Sequence, residues 1–130
     1  MHRTYDGVRP FRLPFLDDPV SLDLLKGTLD VLILKALSWG PCHGYGISKA
    51  IRAATEGAFQ VEEGALYPAL RRLERRGQVS AEWGETETGR RARFYRLSVE
   101  GRATLEQEVQ TWGRYVDAMS RVLYAEGPLE

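Results

Sequence analysis

The stretch EEGALYPALRRLERRG, residues 62–77, decides the fold because it has a helical period and two chemically different faces. With about 100° between successive residues, Leu66, Leu70 and Leu73 lie together on one side and form an apolar stripe. The opposite side carries Gly64, Pro68, Arg71 and Arg75. We therefore predict a helix that buries its leucine stripe and presents the opposite side, its outer face, to a charged partner.

Two further helices are predicted upstream of this stretch. Residues 22–37 are apolar nearly all round, which indicates a helix covered on most sides, and Ser21 is suited to cap it. A turn ends that helix, and a shorter helix follows at residues 45–54. Before both of them lies an irregular arm, residues 1–20, which carries three prolines and no period.

Beyond Gly77 the apolar period changes from helical to alternating, which is typical of strands. Residues 79–83 and 92–97 alternate in this way, and the polar, glycine-containing loop of residues 84–91 joins them. The two strands predict a β-hairpin, called the wing below (residues 79–97). Helices followed by a wing form a winged helix-turn-helix, in which the helix before the wing enters the major groove of DNA.

The formal net charge is zero, from 18 basic and 18 acidic residues, but the charge is unevenly distributed. Residues 71–96 hold eight arginines and four glutamates, a net +4, whereas residues 100–130 hold three arginines and six acids, a net −3. A local excess of arginine suits DNA binding by counterion release. We predict that the contacts to double-stranded DNA come from Gly64, Tyr67, Pro68, Arg71, Arg75, Arg90, Arg91 and Arg93.

A long last helix is predicted over residues 99–124, with Ser98 as its cap. Its apolar positions recur at steps of 4, 3, 4, 3 and 4 residues, the heptad spacing of a helix that packs along another helix. This seam predicts a homodimer built on Leu105, Val109, Trp112, Val116, Met119 and Leu123. Trp112 is also a candidate for stacking on an effector, and plain packing in the dimer core is the alternative.

The predicted fold is therefore mainly α with a small β-hairpin, a winged helix-turn-helix plus a long C-terminal dimerisation helix. Its predicted parts are the arm (1–20), the winged helix-turn-helix domain (21–98), the dimerisation helix (99–124) and a tail (125–130). A chain of 130 residues suits one domain with such appendages.

Nothing in the sequence supports catalysis or a cofactor. It shows no nucleophile–base arrangement, glycine-rich phosphate loop or metal-ligand cluster, so we expect neither an enzyme nor a metal site. The single cysteine, Cys42, excludes an intrachain disulfide; beside His43 it is a candidate redox switch with a favoured thiolate, and an inert thiol is the alternative. No apolar run approaches the about 18 residues of a membrane span, and no secretory signal is visible, so we expect a cytoplasmic protein.

Four segments carry a family resemblance: LLKGTLDVLILKAL (24–37), GPCHGYGI (40–47), EEGALYPALRRLERRGQV (62–79) and EWGETETGRRARFYRLSVEGR (82–102). They resemble the PadR-like transcriptional regulators, and the ALYPALRRLE block is among the most specific. The resemblance implies a homodimeric repressor of a pseudo-palindromic operator, with the dimer built mainly by the C-terminal helix and often also by the N-terminal helix. It also implies a small aromatic or lipophilic effector.

On the family pattern, the DNA-binding residues are Tyr67, Pro68 and Arg71 in the helix and Gly89, Arg90 and Arg91 in the wing. The chain departs from that pattern in its longer arm and its single C-terminal helix, and both departures affect where an effector pocket would lie. The competing hypothesis is a winged-helix protein-interaction module without DNA binding. Arginines on both the outer face and the wing favour DNA binding, because a module that had lost it would have little reason to keep them.

Overall fold

Residues 27–128 are described by the computed structural model, in which the predicted helices and strands occur in the predicted order. The elements are α1 (Thr28–Leu37), β1 (Cys42–His43), α2 (Gly44–Ala54), α3 (Glu63–Arg75), β2 (Val79–Glu85), β3 (Arg91–Leu97) and α4 (Val99–Leu123). The predicted winged helix-turn-helix with a long C-terminal helix is thereby confirmed. The predicted arm and the predicted cap Ser21 lie outside the described residues. Within residues 27–128, no helix has the length and apolarity to cross a bilayer.

The first described helix begins at Thr28. Gly27 has a φ of 82°, a left-handed conformation foreign to the α-helix, so α1 does not include Gly27. The predicted helix of residues 22–37 ran through this glycine, and its residues 22–26 lie outside the described part of the chain. Within α1, Ile33 and Leu34 are buried in the core.

Side chains that bond to the backbone hold α2 and the segment that leads to α3. Nδ1 of His43 accepts the Gly46 N–H at 3.1 Å and caps α2. The Ser48 hydroxyl donates to the Val61 carbonyl at 3.1 Å, which joins α2 to the approach of α3. The first bond fixes the start of α2, and the second fixes the segment between the two helices that give the helix-turn-helix its name.

The leucine stripe of α3 forms the centre of the core. Leu66, Leu70 and Leu73 are at most 1% exposed, and burying each such side chain stabilises the fold by about 1.5–3 kcal/mol. α3 also contributes Ala69, and the rest of the buried cluster comes from every other helix and from β2 and β3: Ile33, Leu34, Ala36, Leu37, Ile47, Ile51, Val79, Tyr95 and Leu105. The predicted inner side of α3 is therefore confirmed.

The sheet has three strands instead of the two predicted. Its order is β1–β3–β2 with antiparallel pairing, so β3 is the central strand. β1 pairs Cys42 with Tyr95 and His43 with Phe94, and the rings of His43 and Phe94 meet edge to face with centroids 5.2 Å apart. A strand of two residues shows no alternation, which is why the sequence pattern did not reveal β1.

A short junction joins the end of α3 to the start of α4. α3 ends in a Schellman motif, in which the N–H groups of Gly77 and Gln78 donate to carbonyls of the last turn. The Ser98 hydroxyl donates to the Gly77 carbonyl at 2.6 Å and accepts the Gly101 N–H at 2.9 Å. Ser98 therefore caps α4, as predicted, and also holds α4 to the end of α3.

The first turns of α4 belong to the domain core, which corrects one residue of the predicted seam. Leu105 is 6% exposed and lies in the same apolar cluster as the leucine stripe of α3, so it is not available to a second copy of the chain. The heptad spacing alone did not show where α4 leaves the domain. The remaining seam residues, called the exposed seam below, are Val109, Trp112, Met119 and Leu123, all exposed, and Val116, which is half-buried.

Gly101→Ala tests how tightly the junction is packed. A Cβ at this position would collide with the Gln78 carbonyl oxygen, which is a backbone atom and already accepts the Ser98 N–H. We expect the substitution to lower the free energy of unfolding by about 1–3 kcal/mol, the usual cost of overpacking. Urea unfolding followed by circular dichroism measures this change.

The matched control is Gly113→Ala, because a Cβ at position 113 of the same helix would have open space around it. Alanine favours a helix over glycine, so this variant should gain up to ~1 kcal/mol of stability. Equal stability of the two variants would show that the junction has room to spare.

Candidate nucleic-acid interface

One flank of α3 is tied to α1 by Asp30. The Arg72 guanidinium donates to Oδ1 of Asp30 at 2.7 Å, and a nitrogen of Arg76 lies 3.5 Å from Oδ2. The Asp30 side chain is only 18% exposed, so the bond to Arg72 is partly shielded from water and salt. Arg72 and Arg76 are therefore engaged within the domain.

The other flank of α3 is tied to the wing by Glu74. The Arg93 guanidinium donates to Oε2 of Glu74 at 2.9 Å, which joins α3 to β3. Tyr95 is buried beside this pair; burial raises the pKa of its hydroxyl, and the positive charge of Arg93 partly opposes that shift. Arg93 therefore forms an ion pair inside the domain. Its predicted contact with DNA stays a prediction.

The outer face of α3 is exposed, as its helical period predicts. A Cβ added to Gly64 would meet open space, and Pro68 is half-buried. Arg71 and Arg75 are exposed, and neither has an ion-pair partner within residues 27–128. The outer face therefore combines two free cations with positions that lack bulky side chains.

Tyr67 lies at the edge of the outer face and packs over the start of α2. A Cβ at Gly44 would lie 2.5 Å from the Tyr67 hydroxyl oxygen, so the glycine is what makes room for the ring. Tyr67 remains 37% exposed. A contact between Tyr67 and DNA, as predicted, would come from a ring whose position is already fixed by packing.

The tip of the wing is a tight turn that presents Arg90. The Gly89 N–H donates to the Thr86 carbonyl at 2.9 Å, and the Arg90 N–H donates to the Thr86 hydroxyl at 3.1 Å. Gly89 has a φ of 84°, which suits the left-handed position of a bulged hairpin turn. In the part of the chain that the structure describes, Arg90 is exposed and forms no ion pair.

Arg91, the first residue of β3, is stacked on a tryptophan of β2. Its guanidinium carbon lies 4.5 Å from the centre of the Trp83 ring system, and Trp83 is 59% exposed. The sequence pattern did not single out Trp83, because its alternation groups it with the buried Val79 and the partly buried Ala81. Its position could have indicated that it is exposed, because Trp83 lies near the tip of the wing, two residues further from the core than Ala81.

The arginines between residues 71 and 96 therefore fall into two groups. Those in ion pairs are Arg72, Arg76, Arg93 and Arg96, the last with Glu82 at 3.5 Å. Those without an ion pair among the described residues are Arg71, Arg75, Arg90 and Arg91. The positive charge that remains available lies on the outer face of α3 and at the end of the wing.

α4 carries a second candidate surface, which is apolar and aromatic. The rings of Trp112 and Tyr115 stack with centroids 5.5 Å apart and planes inclined by 25°, and both residues are exposed. Val109 and Met119 are exposed on the same helix. This is the surface predicted for a second copy and, at Trp112, for an effector. Both roles stay predictions.

Cys42 lacks the environment of a reactive thiol. Burial raises the pKa of its thiol, and a backbone hydrogen bond at His43 only partly opposes that rise. Burial therefore outweighs the hydrogen bond at His43, and the His43 ring itself caps α2 and contacts Phe94. Among residues 27–128, no three His, Cys, Asp or Glu side chains are grouped to hold a metal ion.

Several solved structures that resemble this chain in fold and sequence are of transcriptional regulators. The model of the transcriptional regulator PadR-like family matches residues 33–107. A transcriptional regulator from Clostridium thermocellum is 34% identical, with a TM-score of 0.70 and coverage of 78% of this chain and 96% of its own. A PadR family transcription regulator from Clostridium difficile is 30% identical, with a TM-score of 0.64 and coverage of 76% and 100%.

A further relative, the uncharacterized protein X of Lysinibacillus sphaericus, is 32% identical over 108 residues, which cover 83% of this chain and 97% of its own. The residues that match the family model include all of α3 and the wing and the first turns of α4. Those elements form the candidate interface and join it to the last helix. By its sequence and by its fold, the chain belongs to the PadR-like family of transcriptional regulators.

Proposed function

We propose that this regulator is a homodimeric, sequence-specific DNA-binding repressor that acts at pseudo-palindromic operators and is released by a small aromatic or lipophilic effector. One observation carries the proposal. The arginines without an ion pair in the described chain lie on the two elements that a winged helix-turn-helix turns toward DNA: Arg71 and Arg75 on α3, and Arg90 and Arg91 in the wing.

Free guanidinium groups on both a helix and a hairpin suit double-stranded DNA. A helix that enters the major groove leaves the wing beside the neighbouring phosphate backbone, so both elements meet phosphates together. Each phosphate neutralised by an arginine contributes about −0.9 to the slope of log affinity against log salt concentration. An arginine whose charge is already balanced by a carboxylate contributes less, so the four unpaired arginines supply most of this attraction.

Base reading is proposed for the outer face of α3. Gly64 and Pro68 have little side chain to hold the helix away from the base edges. Arg71 is long enough to bond to O6 and N7 of guanine, the commonest specific contact in the major groove. Tyr67, fixed over Gly44, lies at the edge of the same face.

A second copy of the chain is proposed to cover the exposed seam of α4. Apolar residues at heptad spacing beyond the core are the pattern of a helix that pairs with another helix. A contiguous exposed apolar surface of this kind marks an interaction site. A two-fold dimer would place two α3 helices on two half-sites, which is why the operator is proposed to be pseudo-palindromic.

The proposed effector site is the stacked pair Trp112 and Tyr115. Aromatic ligands pack favourably on exposed rings by offset stacking. Because the pair lies on the helix proposed to form the dimer, a ligand bound there would favour one arrangement of the two copies over another. A changed distance between the two α3 helices would release the operator.

The direct test is a gel shift with the promoter of the protein's own operon, followed by Arg71→Ala. We expect the variant to lose on the order of 1–3 kcal/mol of discrimination at one base pair of each half-site. Titrations of matched and scrambled operators by fluorescence anisotropy measure this loss.

The control is Arg102→Ala, which removes the same charge from an exposed position in the first turn of α4 and should leave discrimination unchanged. An equal loss of affinity on both operators would show that Arg71 contacts phosphate and reads no base. A wild-type protein that binds no duplex at low salt would reject the proposed function and favour the protein-interaction module.

Glu74→Gln and Arg93→Ala separate the two roles open to Arg93. We expect Arg93 to act as a tether, so each variant should lose less than ~1 kcal/mol of stability, the usual value of an exposed ion pair. Glu74→Gln should also bind non-operator DNA more tightly at low salt, because it removes a carboxylate beside the outer face. If Arg93→Ala instead reduces the salt slope by about 0.9, Arg93 contacts phosphate directly.

The dimer is tested by Val109→Asp together with Val116→Asp. Two charges in the seam should separate the copies, because carboxylates are costly to bury without a partner. Light scattering measures the mass, and circular dichroism checks that the helices remain. Gln107→Asp with Thr111→Asp adds the same charge to exposed positions of α4 outside the seam and should leave a dimer. A wild-type monomer at micromolar concentration would contradict the prediction.

A further inference from the structure

The inner face of the wing extends beyond the domain core and ends in an exposed tryptophan. Side chains of alternate residues lie on one face of a strand, so Val79, Ala81 and Trp83 share a face of β2. Val79 is 3% exposed, whereas Trp83 is 59% exposed. Because the Trp83 indole is exposed, it stabilises the core less than the buried Val79 does. Its exposure leaves this side chain available for another role.

Arg91 covers the Trp83 ring. In the register of the two strands, Trp83 faces Arg93 and Arg91 faces Glu85, so Trp83 and Arg91 are diagonal neighbours on the same face. The Arg91 guanidinium carbon lies 4.5 Å from the ring centre, within the range of a cation–π contact. The arginine is thus held by an aromatic face although a carboxylate lies opposite it in the register.

This contact differs from those of the other arginines in the wing. Arg93 donates to Glu74, and Arg96 lies 3.5 Å from Glu82, so both are paired with a negative charge. An indole holds Arg91 without neutralising it. A stacked guanidinium also keeps its N–H groups in its own plane, where they remain free to donate to an oxygen outside the ring.

We propose that Trp83 is a positioning residue that pre-orders Arg91 for a phosphate of the DNA backbone. This inference rests on the proposed DNA binding and adds the reason why the wing binds. A free arginine loses rotamer entropy when it is fixed, and a guanidinium already stacked on a ring has lost part of it before DNA arrives. The stack therefore raises the affinity for phosphate while the full charge is kept.

The first test is a double-mutant cycle on non-operator duplex DNA at low salt. Trp83→Leu keeps an apolar side chain without an aromatic face, and we expect it to weaken binding about two- to fivefold, the equivalent of an exposed cation–π contact. Trp83→Phe keeps a ring and should lose less. Once Arg91→Ala is present, Trp83→Leu should cause no further loss.

The second test needs no DNA. In the free protein the indole ring current should shift the side-chain proton resonances of Arg91 upfield, and Trp83→Leu should remove that shift. Trp39→Leu is the matched control, because Trp39 is also exposed, at 61%, and has Lys35 6.0 Å from its ring, but it lies in none of α3, β2 and β3. It should change neither the Arg91 resonances nor the affinity for DNA.

Each outcome separates this inference from the proposed function. Additive losses in the cycle, or Arg91 resonances that do not respond to Trp83→Leu, overturn the positioning role while DNA binding stands. A variant Arg91→Ala that binds like the wild type also overturns it, and the effect of Arg71→Ala then still tests the proposed function. If Trp83→Leu fails to fold, Trp83→Phe and the resonances of the wild type decide the question. A wild-type protein that binds no DNA overturns both.

Discussion

Burial of the leucine stripe fixes the rotation of α3 about its own axis, and the rest of the interface depends on that rotation. Leu66, Leu70 and Leu73 are at most 1% exposed, so the opposite side of the helix has to face solvent. Turning the helix by one residue would bring an arginine toward the core, and burying an unpaired charge is far more costly than exposing a leucine. The cations of α3 lie outside because the leucines lie inside.

Ion pairs then determine which arginines remain available. Asp30 engages Arg72 and Arg76 on one flank of α3, and Glu74 engages Arg93 on the other. A solvent-exposed pair such as Glu74–Arg93 contributes little to stability, typically 0–1 kcal/mol. The larger effect of the ion pairs is on the distribution of free charge, because they confine it to the outer face and the end of the wing. Although the formal net charge of the chain is zero, its unpaired positive charge is therefore concentrated on one part of the surface.

Local patterns in the sequence predicted the helix of residues 62–77, the wing, the cap at Ser98 and the position of the core stripe, because each depends on neighbours within a few residues. What they missed depends on distant contacts. Asp30 and Arg72 are 42 residues apart, so no local period joins them. Leu105 fits the heptad seam as well as Val109 does, and only the packing of α4 shows that it belongs to the core. The roles of the predicted DNA contacts depend on a partner, which the chain alone does not contain.

The junction at Ser98 has a mechanical consequence. The Ser98 hydroxyl bonds to Gly77, just beyond the end of α3, and to Gly101 in the first turn of α4. Gly101 also lies directly against the Gln78 carbonyl, with no space for a side chain. The two helices are therefore joined without a free stretch of backbone between their ends, and α4, 25 residues long, extends from this junction. A tilt at the far end of α4 would therefore move the whole winged-helix domain with it, because no flexible linker lies between them to absorb the movement.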